Sequence, residues 1–447
     1  MKCGVITPIG PGHRTLFEDR CLPSVERAVA YSKGPFEEIT LYRMDDGEGR
    51  HGRSNRRNAA IRQAAEEGVD WLFFLDADDE LTPNAFEAFG RVLAETPDLD
   101  AAFGLLCHFD EDGNPGLREG QPERLDSYGE LIAWDPFVAL EMGHFVRTEA
   151  AAQIGFDETM DTGEDYTYYY ALWQRFRCVK RPEIFYVIRR FQSSSGPRSA
   201  SGSDWSAVVG RLWAEQVAAH PLWAEVSDAG IPARMRVTNP RDLIQAEHLA
   251  GRFFEAGSLA RLKTLVPEGA RIVEVGANVG NHVVWYAQHL APEVILPVEP
   301  NPEAIAILDA NIAENRLEGV VDRRGIGLGA GRAQGRFRAV LDDRDNLGAT
   351  RLVEDPGGGL TVVALDDLVG EERVDFIKID AEGMELDVLD GASALIARER
   401  PVIWVEARRE NIVPFAQGWC RRNDYCIADS VAYVNTMDYF VLPMERA

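Results

Sequence analysis

Trp71-Leu72-Phe73-Phe74-Leu75-Asp76-Ala77-Asp78-Asp79 is the stretch on which the reading of this chain turns. A run of apolar side chains stops abruptly at three carboxylates. Such a run reads as a strand buried on both faces, so the carboxylates stand at the rim of a sheet. Hard oxygen donors there suit Mg or Mn, and a metal so held neutralises the charge growing on a departing diphosphate. Asp-x-Asp is also what an acidic surface turn looks like; its place directly after the apolar run sets this one apart.

Outward from that strand, the first half alternates strands and helices. Strands are predicted at 4–7, 38–42 and 70–75, and helices at 18–32 and 58–67. Thr82-Pro83 reads as an N-cap followed by a first helical residue. This alternation implies an α/β fold. The Ser/Gly-rich stretch at 192–203 cannot bury a core and reads as a connection, followed by an amphipathic helix near 204–219. A second break lies between His220-Pro221 and Asn239-Pro240. We therefore expect one domain over 1–220, a linker over 221–240 and a second domain over 241–447. The alternation then restarts, with strands at 271–275, 294–298, 375–379 and 402–405. Two short apolar runs near the end read as a hairpin, Ala432-Tyr433-Val434 and Tyr439-Phe440-Val441-Leu442.

Composition narrows the function classes. The 447 residues exceed one ordinary core and suggest two or three domains. A net charge of -26 argues against nucleic acid as a partner, because phosphate is repelled. None of the six cysteines forms a Cys-x-x-Cys pair, so free thiols in a reducing cytoplasm are expected rather than zinc. The chain runs into its first strand without a signal-peptide pattern, and no apolar run approaches the ~20 residues of a transmembrane span. A cytoplasmic protein is the expectation.

Ordered motifs surround the Asp-x-Asp strand. Thr7-Pro8 ends the first predicted strand, Asp45-Asp46-Gly47 follows the second, and Arg53-Ser54-Asn55-Arg56-Arg57-Asn58 precedes the third. Gly155-Phe156-Asp157-Glu158 and Gly163-Glu164-Asp165-Tyr166 come later. Over about residues 1–200 the chain resembles the family-2 glycosyltransferases of the GT-A fold. The resemblance implies that Thr7, Pro8, Asp45, Arg57 and Asp76 bind a nucleotide sugar (taken as UDP-linked), with Asp46 an alternative to Asp45 at the base. It implies Asp78 as the ligand of Mn or Mg, and Asp165 as the base for an inverting transfer to a hydroxyl. Glu164-Asp165 is equally the acidic pair that a helix N-terminus favours. Many relatives carry a His near the end of this domain; here Arg189 and Arg190 stand instead, as diphosphate ligands or a solvated basic pair. His144 is a candidate for the acceptor pocket.

The second signature is Glu274-Val275-Gly276-Ala277-Asn278-Val279-Gly280, between a predicted strand and helix, with Glu299 at the end of the next strand. Glycines permit close backbone approach to a ligand, and an acid at that strand end suits the two hydroxyls of a ribose. Further on come Leu365-Asp366-Asp367-Leu368, Ile377-Lys378-Ile379-Asp380-Ala381-Glu382-Gly383 and a strand ending in Glu406. Over about residues 240–445 the chain resembles the FkbM-type S-adenosylmethionine-dependent methyltransferases, which implies a Rossmann-like class I domain and O-methylation, often of a sugar hydroxyl. Glu274, Gly276, Asn278, Gly280, Glu299 and Asp380 would hold S-adenosylmethionine. Lys378 and Asp380 share a strand face and would orient or deprotonate the acceptor, or form a structural ion pair. His282 is a possible base or a helix-capping residue. The resulting expectation is a bifunctional transferase of bacterial glycan or glycosylated-metabolite assembly. A second reading makes the N-terminal domain a non-catalytic carbohydrate- or nucleotide-binding module for the methyltransferase.

Overall fold

The computed structural model describes residues 1–110, 112–160, 162–189, 202–341, 343, 345–433 and 436–446. The chain divides into two compact units, Met1–His220 and Pro221–Ala447. Both are α/β, as expected. Arg190 and residues 192–201 of the Ser/Gly connection lie outside the described residues, as do Val434 and Asn435.

The first unit is built on a six-stranded sheet. Its order is Glu38–Asp45, Lys2–Ile9, Trp71–Phe74, His144–Arg147, Ala101–Phe103 and Cys178–Lys180. The first three strands run parallel, and His144–Arg147 is antiparallel to both its neighbours. Ile9 pairs with Asp45 and Ile6 with Phe74, so the carboxyl ends of all three parallel strands reach one rim. Asp45 and Asp76 are thereby brought together from distant sequence. Beneath them, alternate residues Trp71 and Phe73 face a core with Phe36, Phe89 and Phe145.

Several expectations need correction here. The first strand does not end at Thr7-Pro8 but continues to Ile9. Thr7 is fully buried, which removes it from contact with a nucleotide, and half-buried Pro8 pairs with Met44 inside the sheet. The helix placed at 58–67 spans Gly52–Glu66. Asp46 accepts the backbone N–H groups of Arg50 (3.0 Å), His51 (3.1 Å) and Gly52 (2.8 Å), which holds the turn leading into the helix and satisfies the first of the donors that its start leaves open. Thr82 is not an N-cap; its hydroxyl donates to the carbonyls of Ile184 and Phe185.

The second unit has a six-stranded sheet ordered Val294–Val298, Arg271–Val275, Phe376–Ile379, Val402–Arg408, Thr436–Pro443 and Tyr425–Ala432. The first four strands are parallel and the last two form an antiparallel hairpin at the edge. On one face, apolar residues sit low and charged residues high: Ile272 then Glu274, Phe376 then Lys378, Trp404 then Glu406, and Phe440 beside Asp438. The register sets Glu274 opposite Lys378 and Glu406 opposite Asp438. The other face is aliphatic, with Val273, Ile377, Ile403 and Val441. The stretch at 221–240 is not a linker. Leu222–Asp228 and Ile231–Val237 form a hairpin whose Val226, Ala233 and Met235 join the core of the second unit. Pro232 is accommodated because the hairpin leaves its position at a strand end. No helix among the described residues is long and apolar enough to cross a membrane.

Phe145 is fully buried, stacked on Phe89 at 4.2 Å and 4.6 Å from Phe73. Phe145→Ala is expected to cost the first unit about 3–5 kcal/mol, read from urea unfolding followed by near-UV circular dichroism. A cost below about 1 kcal/mol would refute this account of the core.

Candidate active sites

At the rim of the first sheet, one buried side chain organises the acids. Arg57, on the Gly52–Glu66 helix, is 2% exposed. Its Nη2 donates to Asp76 Oδ1 at 2.6 Å, and its Nη1 lies 3.7 Å from Glu164 Oε1. Arg53 Nε approaches the same Glu164 at 2.5 Å. The guanidinium also lies 5.2 Å above the Phe156 ring. Burial alone works against the Arg57 charge, but Asp76 and Glu164 outweigh it and raise its pKa. Arg57 therefore ties the Asp-x-Asp strand end to the start of the Glu164–Arg175 helix, where half-buried Asp165 sits.

Neighbouring acids take different tasks. Asp46 caps the Gly52–Glu66 helix, whereas Asp45 stays exposed, bonded to Gly47 N–H at 3.0 Å and to Arg14. Glu164 is wholly buried against Arg53 and Arg57. Asp76 and Asp78 are half-buried at the rim, while Asp79 turns inward. There Asp79 accepts the Arg189 backbone N–H at 3.1 Å, and burial, with Asp78 and Asp76 nearby, pushes its pKa well up. Asp76 and Asp78 are half-exposed hard oxygen donors two residues apart, a donor type that fits a divalent ion such as Mg or Mn. Asp79 does not belong to that donor set.

The later motif has a structural task. Asn58 Nδ2 donates to the Phe156 carbonyl at 2.8 Å, and its Oδ1 accepts the Phe156 N–H at 2.8 Å. Asn55 and Asn58 both donate to Glu158. His144 does not line a pocket. It is fully buried, stacked on Phe103 at 4.4 Å, and burial lowers its pKa to about 3. Arg189 is committed to Glu80 at 2.8 Å and lies over Phe109.

In the second unit a cavity of about 260 Å³ opens at the carboxyl ends of the parallel strands. Gly276, Asn278, Glu299 and Asp380 line it. Gly276 has φ +80°, and a Cβ there would lie 1.9 Å from the Asp380 carbonyl oxygen. Only glycine lets these two strand ends close together. Glu299 is 6% exposed; its two oxygens accept the N–H groups of Asn278 and Asn301, each at 2.8 Å. Burial, then Asp380 and Glu274, push its pKa up to about 7. Each oxygen keeps a lone pair for a vicinal diol. This cradle fits the nucleoside part of S-adenosylmethionine.

Two expected cradle residues lie elsewhere. Glu274 is fully buried below the cavity, where it bonds His282 Nδ1 at 3.0 Å. Gly280 starts the Asn281–His289 helix, and a Cβ there would meet Leu308 at 2.5 Å, so its task is helix packing. Lys378 is 1% exposed, 3.0 Å from Asp380 Oδ2 and 5.0 Å over the Trp404 ring. Burial opposes its charge, yet Asp380, Glu255, Glu274 and Glu406 overcome this and raise its pKa. A cation so held cannot act as a base, which corrects one expectation for Lys378. His282 does not cap its helix. It lies between Glu274 and Glu255 Oε2 (3.2 Å); burial and Lys378 oppose its charge, but those two acids prevail and raise its pKa. Both of its ring nitrogens thus face carboxylates and not the open cavity.

Sequence reading missed Glu255 and Asp438. Glu255 reaches the cluster from a non-glycine left-handed residue, φ 57°, before the Ala256–Leu265 helix. Its segment is held by Asn281, which exchanges bonds with Phe254 N–H (2.9 Å) and carbonyl (3.0 Å). No periodicity announces it. Asp438 could have been found, since an acid at an inward-facing position of an apolar strand is a signal in itself.

Comparison with known proteins agrees with this division. Residues 24–146 match the model for glycosyl transferase family 2, and residues 274–422 match that for the methyltransferase FkbM domain. An uncharacterized glycosyltransferase from Methanocaldococcus jannaschii is 25% identical over 142 residues, 31% of this chain and 45% of that protein, so the match spans under half of that relative. Among solved structures, S. aureus TarS overlaps 48% of this chain and 40% of its own at 16% identity and a TM-score of 0.35. M. jannaschii TYW2 in complex with AdoMet overlaps 49% of this chain and 86% of its own at 14% identity and a TM-score of 0.28. Overlaps that slight say nothing of substrate. The two family matches, falling one in each compact unit, show that this chain joins a family-2 glycosyltransferase to an FkbM methyltransferase.

Proposed function

We propose that the chain transfers a sugar from a nucleotide sugar to a hydroxyl acceptor with inversion, and O-methylates a sugar hydroxyl in bacterial glycan or glycosylated-metabolite assembly. The observation that carries the reading is the pair of acidic rims at the carboxyl ends of parallel strands, one gathered around buried Arg57 and the other around buried Lys378. Ligands bind at such ends in open α/β sheets.

In the first unit, Asp78 holds the divalent ion with Asp76 beside it, and Asp45 faces the nucleoside. The ion, when bound, supplies positive charge to the leaving diphosphate. Asp165 stands at the start of its helix as the base for the acceptor hydroxyl, and Arg57 sets its distance from Asp76 by fixing Glu164. In the second unit, Gly276 and Asn278 admit the nucleoside, Glu299 holds the ribose, and Asp380 is fixed by Lys378. When bound, S-adenosylmethionine supplies an electrophilic methyl group; positioning then provides much of the rate. Acids crowd this cavity, which favours an uncharged hydroxyl over a phosphodiester. Both donors are cytoplasmic metabolites, which supports a cytoplasmic setting.

Mass spectrometry of glycans separates the two activities. Asp165→Asn is expected to slow sugar transfer about 10²–10⁴-fold and remove a whole sugar from the product. Glu299→Gln is expected to remove one methyl and leave the sugar. If both variants lose only a methyl, the first unit is a binding module.

The raised pKa of Glu299 adds a pH test. Its carboxylate is the form that accepts both ribose hydroxyls, and that form is populated above about pH 7. Affinity for S-adenosylhomocysteine is expected to fall about tenfold from pH 8 to pH 6, and Glu299→Gln to flatten the profile. Calorimetric titration checks this; an unchanged profile in the variant would rule Glu299 out.

A further inference from the structure

Five acids gather around Lys378, and four of them have a partner. Asp380 holds Lys378 at 3.0 Å. Glu274 and Glu255 hold His282 at 3.0 and 3.2 Å. Asp438, fully buried, accepts Ser258 Oγ at 3.1 Å. The Glu406 side chain makes no hydrogen bond or ion pair among the described residues, although it lines the cavity. Carboxylate oxygens of Glu255, Glu406 and Asp438 lie within 4.8 Å of one another. An unpaired carboxyl facing a cavity, among acids that are all spoken for, awaits something that enters that cavity.

We infer that Glu406 is the group that takes the proton from an uncharged acceptor hydroxyl during methyl transfer. The inference rests on the methyltransferase reading above. In the step, the acceptor O–H proton passes to the Glu406 carboxylate while the acceptor oxygen forms its bond to the methyl carbon. The bond from that carbon to sulfur breaks, and its electron pair stays on sulfur as a neutral thioether.

Position along the sheet supports this assignment. Glu299 and Glu406 lie on strands three places apart in the sheet order, roughly 14 Å at about 4.8 Å per strand. Hydrogen bonds at both ends, about 3 Å each, and a reacting contact of about 3 Å leave roughly 5 Å. The five bonds from a ribose 3′-hydroxyl to the methyl carbon fill that interval. Asp380 lies one strand nearer the ribose and is held by Lys378, so it braces the donor end. Lys378 is held by Asp380, and both ring nitrogens of His282 face the carboxylates of Glu274 and Glu255. Among the acids around Lys378, Glu406 is the one whose side chain has no hydrogen-bond or ion-pair partner among the described residues.

The surroundings also couple the base to the donor. Asp380, then burial, push the Glu406 pKa up to about 9, with Glu255 and Asp438 adding to this and Lys378 opposing it. His282 lies behind Glu255, and Tyr433 lines the same cavity. Before the donor arrives Glu406 is thus largely protonated near neutral pH. A sulfonium beside it favours the carboxylate, so the base forms when the methyl donor is in place.

Calorimetric titration of the full chain at about pH 8.5 tests this, because Glu299, Glu382 and Asp438, each raised to about 7, are already ionised there. In buffers of different ionisation enthalpy, S-adenosylmethionine should displace about half a proton more from the native chain than from Glu406→Gln. The variant should bind S-adenosylhomocysteine within threefold of the native affinity, which shows its fold intact. Its glycans should lack one methyl. Equal proton release in both chains, or glycans that keep the methyl, would overturn the assignment. So would magnesium binding that Glu406→Gln abolishes, since the acids would then form a cation site. If neither nucleoside binds the native chain, the methyltransferase reading itself fails.

Discussion

A carboxylate packed at a sheet rim loses the water that would support its charge, so its ionisation is set by the partners the fold places beside it. In each unit a buried cation sits among the rim acids. Arg57 joins Asp76 to Glu164 in the first unit, and Lys378 stands among Asp380, Glu255, Glu274 and Glu406 in the second. Removing one partner of such a buried pair costs about 3–5 kcal/mol, so these cations anchor the site geometry as well as its charge. The choice of residue follows from the task. Arg57 spans two segments with a planar fork, whereas Lys378 offers one compact charge to several acids.

The same constraint explains why acids come in adjacent pairs with opposite roles. Asp46 satisfies the first amides of a helix while Asp45 stays outside. Glu164 is buried on two arginines while Asp165, one residue on, is only half-buried at the same helix start. Asp79 folds under the turn that presents Asp76 and Asp78. In each case the inner acid is tied into the fold, Asp46 by backbone amides, Glu164 by Arg53 and Arg57, and Asp79 by the Arg189 N–H, and so fixes the segment that carries the outer one. A substitution at an inner acid would therefore disturb chemistry through position, without removing a reacting group.

In the methyltransferase unit the alternation of strand side chains does further work. One face is apolar low on the strands and charged high, so the core of Trp404 and Phe440 ends where the cluster of Lys378 and Glu406 begins. The helix bearing His282, Trp285 and Tyr286 covers both parts. Gly276 then permits the close approach of two strand ends that opens the cavity on this charged region and not over the core.

Periodicity and motif order made much of this legible beforehand. The apolar run before Asp76, the Gly276 turn, the acid at Glu299 and the terminal hairpin are local patterns, and local patterns survive in a sequence. The stretch at 221–240 misled because Pro221 and Pro240 look like the ends of a linker when the core that the stretch covers is unseen. Thr7 misled because a strand's last residue depends on its neighbour, and pairing with Met44 and Asp45 carries the strand to Ile9. By itself, the chain determined two α/β segments and the acidic strand ends that belong to them. Only the tertiary structure decided which acids are sheltered and which face a ligand, because charge state depends on burial and on partners from far along the chain. Glu255, Asp438 and the unpaired Glu406 meet through three separate elements, and no spacing in the sequence encodes that meeting.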